Sequence, residues 1–129
     1  HRYVPVIASL GLDQPSVAAP SVLNVNADVM ACRIAASLSG SDLVIAGGTP
    51  GVLDQSGQSI PSMDTDGIDD AISSRTATAG MVAKLASCRA ALVAGVTSVR
   101  IIDGRTLDGT HGVGAATGTL LTLATASTR

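Results

Sequence analysis

The chain has 129 residues, 46% of them apolar, with eight Lys plus Arg against ten Asp and a formal net charge of −2. That length accommodates one small domain with a core. The charge gives no basic field for nucleic acid, and with Tyr3 the sole aromatic there are no rings to stack bases. No apolar run reaches the roughly 18 residues of a spanning helix, and His1-Arg2-Tyr3 leads straight into Val4-Pro5-Val6-Ile7-Ala8 without a leader-like pattern. The expectation is a cytoplasmic domain, entered midway, with neither nucleic acid nor membrane as partner.

In chain order, residues 4–9 read as a short apolar strand and Gly11 to Pro20 as a loop of turn residues, with a second strand near 22–25. Asp28 opens a helix whose stripe is Ala27, Met30, Ala31, Ile34, Ala35 and Leu38, stopped by Ser39-Gly40. A buried strand follows over Leu43 to Ala46. Gly47-Gly48-Thr49-Pro50-Gly51 turns the chain, and Val52-Leu53-Asp54 with Ser59-Ile60 forms a small hairpin around 55–58. Residues 64–74 predict a short helix. Met81 to Ala94 predicts a longer one, with Val82, Leu85, Ala86, Ala90 and Val93 inward and Gly95 as its stop. Val99 to Ile102 is a further buried strand, and the Gly- and Thr-rich tail ends in a strand across 119–124. This alternation predicts a three-layer α/β sandwich, helices on both faces of a mainly parallel sheet.

Cys32 and Cys88 fall inside helical patterns and lack the spacing of a zinc or redox motif, so both read as buried thiols. His1 and His111 have no companions for a triad or a metal cluster and are expected in solvent. Gly112 to Gly118 has one residue too many for a dinucleotide fingerprint and reads as a flexible loop. Asp64-Thr65-Asp66-Gly67-Ile68-Asp69-Asp70 resembles a calcium loop, yet its glycine is misplaced and no terminal Glu follows; helix capping explains it. No residue is assigned to a metal.

Lys84 is the only lysine. It follows Thr78-Ala79-Gly80-Met81, which reads as a glycine turn opening a helix, where free N–H groups and the helix dipole favour an anion. Composition leaves two readings open: a solvated surface cation, or a phosphate ligand sending its ammonium back over the first turn. Three motifs at strand ends or helix starts favour the second, since ligands of parallel sheets gather there: Asn24 to Asp28, the turn 47–51 and Gly80-Met81. For Asn24, Asn26 and Asp28 a capping role is compatible with a functional one.

Five segments in order resemble the amino acid kinase superfamily, and within it the acetylglutamate kinase branch: Tyr3-Val4-Pro5-Val6-Ile7-Ala8, Asn24-Val25-Asn26-Ala27-Asp28, Pro50-Gly51-Val52-Leu53-Asp54, Gly80-Met81-Val82-Ala83-Lys84, and Val99-Arg100-Ile101-Ile102-Asp103-Gly104-Arg105. They cover roughly residues 3–105 and resemble the C-terminal, nucleotide-binding half of that fold. The resemblance implies transfer of the ATP γ-phosphoryl group to the side-chain carboxylate of N-acetyl-L-glutamate, in arginine biosynthesis. It implies that Asn24 holds the substrate α-carboxylate with Asn26 nearby, that Asp28 orients the catalytic groups, and that Lys84 neutralises charge on the ATP side. Gly47, Gly48, Thr49, Gly51, Gly80 and Met81 would border the nucleotide together with Lys84. Mg²⁺ would accompany ATP through phosphates and water.

The chain departs from the family pattern in ending its 43–48 strand in Gly47-Gly48, where Thr-Asp or Ser-Asp is usual, so backbone replaces a polar side chain. Segment 106–118 is shorter and richer in glycine than the family's last helix. The half that would carry a glycine-rich loop with a second lysine, and an arginine region for the substrate, is expected from elsewhere: a longer chain, another polypeptide, or a homo-oligomer. Two other functions fit the same residues. One is a non-catalytic nucleotide- or partner-binding module; the other is a kinase for carrier-bound aminoadipate or glutamate.

Overall fold

The computed structural model describes residues 3–14, 19–38, 40–74, 77–107 and 117–125. The elements in chain order are β1 (Leu10–Asp13), β2 (Ser21–Asn24), α1 (Ala27–Ser37), β3 (Asp42–Gly47), β4 (Ser62–Asp64), α2 (Thr65–Ser73), α3 (Ala79–Val93), β5 (Ser98–Asp103) and β6 (Gly118–Thr122). Each helix starts on a side-chain cap: Asn26 accepts from the Val29 N–H, Asp64 from Gly67 and Thr78 from Met81. Gly95, at φ 102°, turns the chain out of α3, a conformation open to glycine at little cost.

Four strands form the main sheet in the order β3-β5-β6-β4. β3 runs parallel to β5 and β4 parallel to β6, while β5 and β6 are antiparallel. The α/β class and the mostly parallel sheet are therefore as expected. The register places Ile45 beside Ile101 and Val99 beside Leu121 on one face. That face shares a core with Cys32 and Ala35 of α1, Ile68 of α2, and Leu85, Cys88, Ala91 and Leu92 of α3. α1 and α2 both pack against α3. Without Phe or Trp, the layers close on Ala, Val, Leu, Ile and Cys, which lets them approach closely.

The N-terminal stretch differs from expectation. Residues 3–8 carry no strand; β1 instead lies mostly within the stretch expected as a loop, and it pairs antiparallel with β2, the strand expected near 22–25. Pro5 has no N–H to offer a ladder, and Pro5 and Ile7 instead border an apolar groove with Met30, Ile34 and Leu43. The inner face of α3 is also rotated from the predicted one. Leu85 is buried as expected, but Cys88, Ala91 and Leu92 complete the stripe, whereas Ala86 and Ala90 are exposed and Val93 is 61% exposed. An almost uniformly apolar helix has no polar face to fix its rotation, so periodicity alone does not choose the side.

The hairpin after β3 forms as read from the sequence, with Leu53 opposite Ser59 and Val52 O accepting from Ile60 N–H at 2.8 Å. Thr119 of β6 locks it to the sheet. Its fully buried hydroxyl accepts from Val52 N–H at 2.8 Å and donates to Ile60 O at 2.6 Å. Thr119→Val keeps the shape but strands both groups, and a buried unpaired group costs about 1–3 kcal/mol. The expected loss is roughly 2–4 kcal/mol, read as a lower urea midpoint with unchanged m-value.

Candidate functional site

Topology alone brings the sequence motifs to one end of the sheet. α1 leads by a short turn into β3, and α3 leads likewise into β5, so the helix N-termini return to the level where the two parallel strands finish. Gly47 of β3 stands beside Asp103 of β5 at that end. Asp28 in the first turn of α1, Lys84 in α3, the 47–48 turn and Asp103 to Arg105 consequently share one edge of the domain.

Lys84 crosses from α3 to α1. Its Nζ donates to Asp28 Oδ2 at 2.6 Å, with the side chains 17% and 31% exposed. The ammonium is thus held by a carboxylate on the neighbouring helix, where the sequence suggested it would lie over its own first turn. A partly shielded ion pair keeps a cation aimed in one direction while leaving its remaining N–H donors available. Gly80 is not a turn residue either: α3 already begins at Ala79, and Gly80 lies inside its first turn. A side chain added there would meet nothing within 4 Å, so the backbone at this helix start is open to an incoming group.

Gly47 and Gly48 are open in the same sense. The Gly48 carbonyl is held by Arg105, whose Nη2 donates to it at 3.0 Å. Arg105 also forks onto Asp103, Nε to Oδ1 at 2.9 Å and Nη2 to Oδ2 at 2.7 Å, and Asp103 Oδ1 caps the 3-10 turn Gly104–Thr106 through the Arg105 N–H. Sequence reading placed Arg105 only in a late strand motif and missed this tie; an acidic residue two places before an arginine at a strand end was the available signal.

The Arg105 guanidinium, with its backbone N–H, pulls the Asp103 carboxyl down to about 2. A carboxyl depressed in the fold adds stability that is full above the ordinary range near ~3.9 and is lost as pH falls through about 2. In a carbon-detected NMR titration Asp103 should titrate near 2 in the native chain. In Arg105→Ala its midpoint should move toward ~3.9, and a midpoint that stays put would assign the shift to another group.

The other predicted residues divide by what holds them. Asn26 caps α1, accepting from Val29 N–H at 3.1 Å. Asn24 ends β2 opposite Leu10 and is exposed. Thr49 donates back to Gly51 O at 3.1 Å. Gly51 is buried at φ 118°, and a Cβ there would lie 2.5 Å from Thr119 Oγ1, so its glycine is explained by the fold. Met81 packs against the core. Asp64 caps α2 and Asp69 pairs with Arg89, so the calcium-like run is helix chemistry. Among the described residues no cluster of His, Cys, Asp or Glu could hold a metal, and no helix is long and apolar enough to cross a membrane. His1, His111 and the stretch 112–116 lie outside the described residues.

The chain is thus an α/β domain whose α1 and α3 starts and open diglycine turn share one end of the sheet. The chain belongs to the amino acid kinase family, whose model matches residues 1–103. Among curated relatives, the acetylglutamate kinase of Aromatoleum aromaticum is 40% identical over 103 residues, 80% of this chain and 33% of that protein. That of Methylobacillus flagellatus is 39% identical over 103 residues, 80% of this chain and 34% of that protein. The chain therefore spans about a third of the length of these relatives. Among solved structures, smu.665 of Streptococcus mutans superposes with a TM-score of 0.75 at 30% identity, over 93% of this chain and 43% of that one. An N-acetylglutamate synthase from Neisseria gonorrhoeae, solved with coenzyme A and L-arginine, shares the fold at TM-score 0.69 and 22% identity, over 79% of this chain and 24% of that one.

Proposed function

We propose that this chain supplies the nucleotide-binding part of an acetylglutamate kinase-type enzyme, which moves the ATP γ-phosphoryl group to the side-chain carboxylate of N-acetyl-L-glutamate. The observation that carries the reading is the 2.6 Å pairing of Lys84, in the second turn of α3, with Asp28, in the first turn of α1, on the sheet end that bears Gly47-Gly48. Phosphoryl transfer asks a protein mainly for positioning and for cations where charge develops. Lys84 is the cation, Asp28 fixes its direction, and the open amides of the α3 start and of the diglycine turn border the phosphates and the rest of ATP. Asn24 and Asn26, leading into α1, are the candidates for the acceptor's α-carboxylate. Asp28 is already engaged by Lys84 and Asp103 by Arg105, which fits a Mg²⁺ carried on the nucleotide phosphates and water. When bound, that ion neutralises charge on the phosphates.

The test joins this chain to an N-terminal half from an acetylglutamate kinase and traps acyl phosphate with hydroxylamine, in the presence of ATP, Mg²⁺ and N-acetyl-L-glutamate. Acyl phosphate formation supports the proposal. ATP binding without product in the joined protein would favour a non-catalytic nucleotide module, and product only from a carrier-bound acceptor would favour the third reading. In the joined enzyme Asp28→Asn should lower kcat about 10²-fold. A destabilised variant with unchanged kcat would leave Asp28 a capping-region residue only.

A further inference from the structure

The register that pairs Asp28 with Lys84 repeats one turn further along both helices. Four residues on, α1 presents Cys32 and α3 presents Cys88, on the same faces as the ion pair. Both are free, buried and members of one core cluster. Their surroundings differ. Cys32 borders a cavity of about 260 Å³ between the helices, lined also by Val29, Arg33, Ala36, Ala86 and Ala90, whereas Cys88 is absent from that lining. Since a water occupies roughly 30 Å³, the cavity admits a small polar oxidant, and its alanines leave the two helices free to approach.

We propose that Cys32 and Cys88 form an oxidation site: a hydroperoxide entering the alanine-lined groove oxidises Cys32, and Cys88 converts the product to a disulfide between α1 and α3. The Cys32 sulfur attacks the peroxide oxygen and the O–O bond breaks. With hydrogen peroxide the leaving hydroxide takes the thiol proton as water, and sulfur becomes sulfenic acid. The Cys88 sulfur then attacks Cys32, the S–O bond breaks, the S–S bond forms, and the Cys88 proton leaves with hydroxide as a second water. Two electrons pass from the thiol pair to the peroxide. The lining supports this order: Cys32 borders the groove by which the peroxide enters, and Cys88 does not. The site is independent of the acceptor that the kinase uses.

The purified protein is treated with hydrogen peroxide, unfolded in N-ethylmaleimide, digested and weighed. Free thiols should fall from two to none per chain, with a Cys32–Cys88 linked peptide two hydrogens lighter than its parts, in a monomer, reversed by dithiothreitol. Cys88→Ser should accumulate a dimedone-reactive Cys32, and Cys32→Ser should leave Cys88 free at the same dose. Unreacted thiols in the native chain, linkage only between chains, or oxidation of Cys88 ahead of Cys32 would overturn the proposal. The linked peptide is read on the native sequence, so an unfolded variant leaves the test intact.

Discussion

Replacing Lys84 by Ala in the complete kinase should lower kcat about 10³-fold, equivalent to about 4 kcal/mol of transition-state stabilisation. The ammonium is the chain's only lysine and is aimed by Asp28 across 2.6 Å. Charge shifts onto the leaving oxygen of ATP only as the transfer proceeds, so the loss should appear in kcat more than in KM. Stability should hardly change. The Asp28 side chain left behind is 31% exposed, water can take over its solvation, and pairs of this kind contribute only about 0–1 kcal/mol. Steady-state kinetics with a thermal melt separates the two effects; unchanged kcat would remove Lys84 from the mechanism.

The adjacent residue should behave in the opposite way. Leu85 is fully buried in the cluster shared by α3, α1, α2 and the sheet. Leu85→Ala removes that packing and leaves a cavity, at a cost of about 2–5 kcal/mol and a fall in Tm of roughly 10 °C. Whatever folds should retain its kcat, because Leu85 is turned a third of a helical turn from Lys84 and faces the core. A Leu85→Ala protein with native Tm would mean that the core collapses to fill the space.

Which parts were legible in the sequence follows from what makes each element. α1, β3, α3 and β5 have strong local signals: caps, apolar runs, and Gly95 at a stop. β4 does not. Ser62-Met63-Asp64 is too short to alternate, and it is a strand only because Leu120 to Thr122 lies alongside. The apolar run 4–8 shows the reverse case, since strand-like composition does not supply a partner. At the candidate site, Asn24, Asn26, Asp28, Gly80 and Lys84 stood out by motif. The reach of Lys84 to α1, and of Arg105 to Gly48, depends on long-range packing that no local spacing encodes.

β6, the last of the described strands, occupies an interior position, between β5 and β4. During synthesis β3 and β5 can pair as soon as residue 103 has emerged, but β4 has no in-sheet neighbour until Gly118–Thr122 arrives. Thr119 must also come within reach of Val52 and Ile60, some 60 residues earlier in the chain. Folding should therefore close late and in one step, because these contacts carry a large loop-closure entropy. A ribosome paused before residue 118 would present a half-sheet with an unfilled slot, an attractive target for chaperones.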